Sequence, residues 1–553
     1  MFRNSQFLGC CVLLAVLTGS INSAAAQAKK SVPINVVFAG VDRLNEDLDY
    51  VFELAKEPVH LKTLKDTLEV FFDGMDKKKA AVIQVYVRGG KFNTVLHAPI
   101  ANAAMFKANV RALGVIPKRI GVGLYAVSGL FKGFMKEVNG SPQQDATTIL
   151  AEDRADLTPL GLFAAFKKHL DPQDYDLVAS IVNGADLQKD RESAVELVRK
   201  QVVDVLKKNK EESDAQHALR KLTIDQQVTE IKQIYGEAET ITAVANVSKK
   251  DKHAIFATAL KALPNTSLAA GIALLGKEPS YFANIPLSKT ETLDGMINFK
   301  LDEMRQKHLL NFLKQARPLV HKEIEEADAS SPDLKAFAAP AADIIFDVFE
   351  QSATNGVLDG FVDTHANPSK LHTMVGGTTG DGEVVKKGLL KLKEKVTVEM
   401  DYAKIGEISL HKITLPKDMP ELHEIFGKDS VLIVGTGAKA IWYAAGENAE
   451  EKLKEAIAHL EKPATEKANI IASLHAKASV WFKLFDALRL KTKKGNPEAR
   501  KEAIAALEQG EDTFDFKLEL DKETLKSSLI LNEGMLRYFG KVGAKFVKEN
   551  LQN

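Results

Sequence analysis

The chain has 553 residues, 45% hydrophobic and 27% charged, with 74 Lys+Arg against 74 Asp+Glu. Neutrality removes any overall electrostatic bias toward nucleic acid, and the apolar content is enough to fill a sizeable core. The only cysteines, Cys10 and Cys11, lie in the N-terminal apolar run. A chain that loses them has no disulfide, thiolate metal site, iron–sulfur cluster or cysteine nucleophile.

Arg3 precedes the apolar run Phe7 to Leu17, and small residues follow to Ala24-Ala25-Ala26. The run is too short to span a bilayer, which takes about 20 apolar residues. The pattern predicts a cleavable signal peptide over 1–26 and an exported protein, periplasmic or extracellular. Without Arg3 the charges are 73 against 74. No later stretch reads as a membrane span.

The expected class is α+β: antiparallel hairpins and meanders packed against helices, in recurring hairpin-then-helix units and two or more modules. The modules are expected at 27–235 and 236–553, the second with two long central helices over about 292–355. A strand over 34–39 is followed by a helix capped by Asp42 and another over 60–72. Strands 81–87 and 92–98 flank Gly89-Gly90 as a hairpin, with a helix from about Ala101. Further strands are expected over 119–127, 131–138 and 175–182, with a short helix 159–169 between the last two. Helices over 191–207 and 214–234 lead to an ambiguous meander over 241–260.

A second hairpin is predicted over 266–275 and 281–287, with helix from Ser288. A helix over 292–327 should bend at Pro318, and one from Ser331 to Gly356 should kink at Pro340. The third hairpin, 357–366 and 371–375, precedes a helix from Glu383. Finally Phe514, Phe516, Leu518 and Leu520 alternate with polar residues, the mark of a sheet covered on one side. Leu529 and Leu531 return. The last helix places Met535, Leu536, Phe539, Val542 and Phe546 on a face expected to pack on that sheet, with Arg537, Lys541, Lys545 and Lys548 opposite.

Several patterns imitate chemistry. Val431 to Val434 followed by Gly435-Thr436-Gly437-Ala438-Lys439-Ala440 has the order of a dinucleotide fingerprint, with Glu455 downstream. That mechanism needs a helix opening at Gly437, and Ile441-Trp442-Tyr443 are strand formers, so a hairpin turn is expected instead. Gly376 to Gly382 is glycine-rich without the Lys-Ser/Thr of a phosphate loop, and reads as a mobile loop. His365 and His372, with Asp363 near, are a candidate zinc pair without a third ligand fixed by spacing. His321 and Glu325 read as a surface i, i+4 pair, and His423-Glu424 has no partner. No Gly-x-Ser-x-Gly elbow occurs.

Gly74-Met75-Asp76-Lys77-Lys78 before a hairpin, Leu170-Asp171-Pro172 with Tyr175-Asp176-Leu177, and Ala440-Ile441-Trp442-Tyr443-Ala444-Ala445-Gly446 before a helix resemble a group of uncharacterised exported proteins of planctomycete bacteria. The likeness runs through most of the chain after residue 26 and departs at Ala80, where proline is expected. It implies export and an α+β body, and carries over no functional residue. No catalytic, cofactor-binding or metal residue is assigned. The expected function is that of a non-enzymatic envelope or periplasmic protein that binds an apolar ligand, a lipid or a protein partner. The alternative is an exported hydrolase using acidic residues or a metal at His365 and His372. Intact-mass analysis of the exported protein should show a chain starting at Gln27, to which a thiol reagent adds nothing; a full-length mass would refute cleavage.

Overall fold

The computed structural model describes residues 34–88, 91–129, 132–139, 147–151, 154–157, 175–185, 188–210, 212–287, 292–326, 332–366, 372–414, 426–427, 431–461, 469–489 and 497–551. The expected signal peptide, the helix expected over 159–169 and His423-Glu424 lie outside them. The chain forms two compact units built from interleaved segments. Unit 1 comprises 1–202, 231–263 and 539–553; unit 2 comprises 203–230 and 264–538. A cut at 235/236 falls inside a helix running Asp214–Glu237.

In unit 1 the strands are β1 (Ile34–Phe38), β2 (Ala81–Arg88), β3 (Lys91–Pro99), β4 (Val115–Gly121), β5 (Leu124–Gly129), β6 (Gly133–Val138), β7 (Thr147–Ala151), β8 (Leu177–Val182), β9 (Ala238–Ser248) and β10 (His253–Ala262). They pair in the order β4-β5-β6-β7-β3-β2-β1-β8-β9-β10, every pairing antiparallel. Helices α1 (Val41–Ala55), α2 (Pro58–Phe72), α3 (Ala103–Ala112) and α4 (Gln188–Val202) interrupt the strands, and α5 (Asp214–Glu237) enters from unit 2. Asn102 caps α3 by accepting from the Met105 N–H. Helix α1 begins at Val41, after Gly40, so Asp42 is in its first turn and not the cap. The strand expected over 119–127 is two, because the chain reverses at Val122-Gly123, where Gly123 takes φ +60°.

In unit 2 the strands are β11 (Leu293–Lys300), β12 (Val357–Ala366), β13 (His372–Thr379), β14 (Val398–Ile405), β15 (Ile408–Thr414), β16 (Val431–Thr436), β17 (Ala440–Ala445), β18 (Ile470–Lys477), β19 (Thr513–Asp521) and β20 (Thr524–Asn532). Their order is β14-β15-β16-β17-β13-β12-β11-β18-β19-β20, again all antiparallel. Adding ten to each label of the first order gives the second. The helices here are α6 (Ser267–Leu274), α7 (Glu303–Glu326), α8 (Pro332–Asn355), α9 (Gly382–Lys393), α10 (Ala449–Ala458), α11 (Ala478–Arg489), α12 (Pro497–Glu508) and the start of α13 (Glu533–Asn550).

The hairpin expected over 266–287 is absent. Residues 267–274 are α6, capped by Thr266, whose hydroxyl oxygen accepts from the Ala269 N–H, and 281–287 is a turn followed by irregular chain. Small apolar residues such as Ala269, Ala270 and Ala273 suit a helix as well as a buried strand, and periodicity cannot separate them in so short a run. The helix expected from 292 is likewise strand β11, then α7. Both Pro318 and Pro340 sit inside helices assigned as continuous.

Strands β16 and β17 are buried on both faces. One face packs Val434 and Ile441 against Val385, Leu389 and Leu392 of α9, with Ile344 of α8 beyond. The other packs Ile433, Trp442 and Ala444 against Leu453 and Ala456 of α10. Phe282 from the turns completes this second layer, its ring centroid 5.3 Å from Trp442 and 5.1 Å from Phe361. Glycine makes room for it: a Cβ at Gly377 would lie 2.8 Å from the Phe282 ring, and one at Gly376 2.2 Å from the Tyr443 ring. The glycine-rich segment 376–382 is therefore not a loop. It is the end of β13, a turn, and the start of α9, which Asp381 caps.

Helix α13 meets unit 1 along a seam of small residues. A Cβ at Gly540 would sit 2.6 Å from the Val51 carbonyl oxygen and 2.7 Å from the Ala55 Cβ, both on α1. Alanine is favoured over glycine inside a helix by about 1 kcal/mol, whereas overpacking against a fixed backbone costs about 1–3 kcal/mol. Chemical denaturation should show Gly540→Ala to be net destabilising; a gain in stability would mean that the seam yields.

Candidate functional site

The sequence-predicted sites disperse. Gly435 to Ala440 is the β16–β17 turn, closed by the Gly437 N–H donating to the Ala440 carbonyl at 3.0 Å, and no helix starts there. In the β12–β13 ladder His365 opposes Thr373, whereas His372 opposes Ala366. The two positions are therefore not directly opposed in the ladder but one step out of register. His321 belongs to an inter-helix network and not to Glu325: its Nε2 is 2.9 Å from Asp343 Oδ1 on α8. Arg317 on α7 joins the same Asp343 at 2.7 Å and Asp347 at 2.8 Å.

Asp363 does lie in a titratable row, with different partners. Across four strands of unit 2, Asp363 (β12) opposes Asp294 (β11), which opposes His475 (β18), which opposes Asp515 (β19). Directly opposed residues share a face, so all four line one side of the sheet. Asp294 and Asp363 are buried, while His475 Nδ1 is bonded to Asp515 Oδ1 at 2.6 Å. A carboxylate holding one imidazole nitrogen is how a general base is oriented. Among the described residues no hydroxyl is bonded to His475. Nor is any group of three or more His, Asp, Glu or Cys among them arranged to hold a metal ion. Sequence reading missed this row because its members lie on segments up to about 220 residues apart, joined only by register.

Several other buried polar groups have structural roles. Arg191 on α4 is 1% exposed and donates to the carbonyls of Gly184 (3.0 Å), Tyr235 (3.1 Å) and Gly236 (2.7 Å). It thereby satisfies the C-terminal carbonyls of α5 that have no intrahelical donor. Gln84 links Asn35 and His97 across β1, β2 and β3 (2.6 and 3.1 Å), and burial depresses the His97 imidazole to about 4, so it stays neutral. His411, fully buried, accepts the Asp401 N–H at Nδ1 and meets Thr436 Oγ1 at 2.8 Å through Nε2; burial again lowers its pKa. Asp359 accepts from Ser280 Oγ at 2.5 Å and the Tyr281 N–H at 2.7 Å, pinning the turn that delivers Phe282; burial raises its carboxyl despite those bonds.

Two surface features of single units remain. In unit 2 an open groove of about 460 Å³ is lined by Asp225 and Gln226 of α5 and by Glu303, Lys307 and His308 of α7. His308 there leans toward Glu230, Nδ1 to Oε1 3.9 Å. In unit 1 the outer part of α13 is amphipathic in an unexpected sense. The face that packs is Gly540, Gly543, Ala544 and Val547, whereas Phe539, Val542 and Phe546, expected to be buried, are 44%, 39% and 52% exposed. No family model, no curated protein and no solved structure matches the chain.

Replacing Arg191 by Met keeps much of its volume but removes its bonds to the Gly184, Tyr235 and Gly236 carbonyls, of which Tyr235 keeps a long 3.5 Å bond from Asn183 Nδ2. At about 1–3 kcal/mol for each unsatisfied group, the loss should exceed about 2 kcal/mol in chemical denaturation. Arg191→Lys should recover only part of it, because one ammonium cannot reproduce the guanidinium fork. A loss under about 1 kcal/mol would assign those carbonyls to other donors.

Proposed function

We propose that the protein is an exported binding protein that acts without covalent chemistry and takes an apolar partner on the surface of unit 1. The observation that carries this reading is the stripe Phe539, Val542 and Phe546 on α13. Spacings of three and four place these side chains on one face of the helix. The helix is already anchored by its glycine seam on α1 and by the Lys541–Glu57 ion pair at 2.6 Å. With that anchor in place, Phe539, Val542 and Phe546 still keep much of their surface exposed. Grouped exposed apolar side chains bordered by polar residues mark interaction surfaces, whereas scattered ones do not. Two further considerations support a binding role. The buried Arg191, Gln84, His97 and Asp359 are engaged in capping carbonyls, joining strands and pinning a turn. The strand order of the two units supports reading the chain as two copies of one ten-stranded module, an arrangement suited to presenting surfaces.

Hydrophobic-interaction chromatography of the chain from Gln27 tests the reading. The double variant Phe539→Ser/Phe546→Ser should elute clearly earlier than the parent with an unchanged circular dichroism spectrum. Equal retention would mean that the stripe is not an accessible apolar surface.

A further inference from the structure

We propose that the partner of the α13 stripe is a lipid surface with anionic headgroups, on which the outer part of the helix lies flat. The inference rests on the apolar docking surface proposed above and names what covers it. At about 100° per residue the helix from Phe539 onward divides into three sectors. Gly540, Gly543, Ala544 and Val547 form the sector that packs, the last two being buried. Lys541, Lys545 and Lys548 form the second. Phe539, Val542 and Phe546 form the third, which stays half exposed. One edge of this apolar sector is the glycine seam, and the other carries Lys545 and Glu549. Apolar groups that reach the acyl boundary beside lysines that meet headgroup phosphates are the layout of an interfacial helix.

Area argues against a protein in this place. The three side chains together expose on the order of 250 Å², well under the roughly 800 Å² that each partner brings to a specific protein interface. A bilayer offers a continuous apolar layer and needs no matching area. Charge gives the sign of the surface. Lys541 is held by Glu57 at 2.6 Å, whereas Lys545 reaches Glu549 only at 3.8 Å, with both of those side chains more than half exposed. Lys548 is exposed, and so is Lys56 at the end of α1, next to the Ala55 that lies against Gly540. The chain from residue 27 is near neutral, 73 Lys+Arg against 74 Asp+Glu, so attraction to an anionic surface has to come from a local group such as this one. Val59, two residues after Glu57, is 67% exposed and adds an apolar group beside the Lys541 contact. Among the described residues no helix is long and apolar enough to cross a membrane, and α13 beyond Phe539, with an exposed apolar stripe on one sector, suits lying in the interface.

Co-sedimentation of the chain from Gln27 with vesicles tests the proposal, using phosphatidylcholine alone and an equal mixture of phosphatidylcholine and phosphatidylglycerol. The parent should bind the mixture at least about tenfold more tightly than phosphatidylcholine. Most of that difference should vanish between about 0.1 M and 1 M salt, as the screening length shrinks from about 10 Å to 3 Å. Lys545→Gln/Lys548→Gln should bind the mixture about fivefold more weakly for each lysine removed. Lys501→Gln, at a side chain 74% exposed on α12 of unit 2, should bind as the parent does. Phe539→Ser/Phe546→Ser should bind at least about tenfold more weakly with an unchanged circular dichroism spectrum. No binding to the mixture, or equal binding to the two kinds of vesicle, overturns the anionic lipid surface. Earlier elution of the serine variant from the hydrophobic-interaction column would then keep the apolar surface for a different partner, whereas equal retention removes the surface and this inference together. Vesicle binding that survives both double variants overturns the assignment to α13.

Discussion

Each unit depends on the pairing of one strand on both of its edges. Strand β1, five residues long, binds β2 on one side and β8 on the other; Val36 faces Ile83 and Ala179. Strand β11 does the same between β12 and β18, with Gly295 facing Val362 and Leu474. Closing such ladders brings together residues well over a hundred positions apart, at an entropic cost that hairpins do not carry. The hairpins supply local order and these central strands join it into one arrangement. Two stretches of chain with little visible likeness reach the same order, which locates the constraint in backbone pairing more than in particular side chains.

Burial on both faces accounts for much of what misleads at sequence level. Val431 to Val434 reads as the continuous apolar run of a parallel strand, and here an antiparallel strand has the same composition because α9 covers one face and α10 the other. The glycines that complete the imitation have separate tasks. Gly437 closes a turn, while Gly376 and Gly377 leave space for Tyr443 and Phe282. A nucleotide signature and a tightly covered hairpin thus share letters for unrelated physical reasons.

The polar residues inside the units are equally informative. Arg191 ends a helix, Gln84 and His97 tie three strands together, and Asp359 holds a turn. Each satisfies groups that would otherwise be buried without a partner, which is the more expensive alternative. The row Asp363, Asp294, His475 and Asp515 contains an imidazole oriented by a carboxylate, with no hydroxyl bonded to it among the described residues. Against this, the exposed apolar side chains of α13 lie where that helix meets solvent.

Much of the local structure was legible in the residues. The hairpins 81–98 and 357–375, the alternation at Phe514 to Leu520, Pro332 opening α8 and the turn at Gly435 to Gly437 all follow from periods of two, turn chemistry and capping, which act over a few residues. Short apolar runs were not legible: 267–274 became a helix and 293–300 a strand, since composition alone serves either period. Met535 and Leu536 of α13 are buried as expected, but the outer part of the helix was misassigned, because a helical period shows which residues align, while contact with α1 selects the glycine face as the one that packs. Pairings such as Asp294 with His475, or Arg43 with Asp176, belong to the tertiary structure alone. They depend on register and docking between segments distant in the chain, and no spacing along a sequence encodes a distance across a sheet.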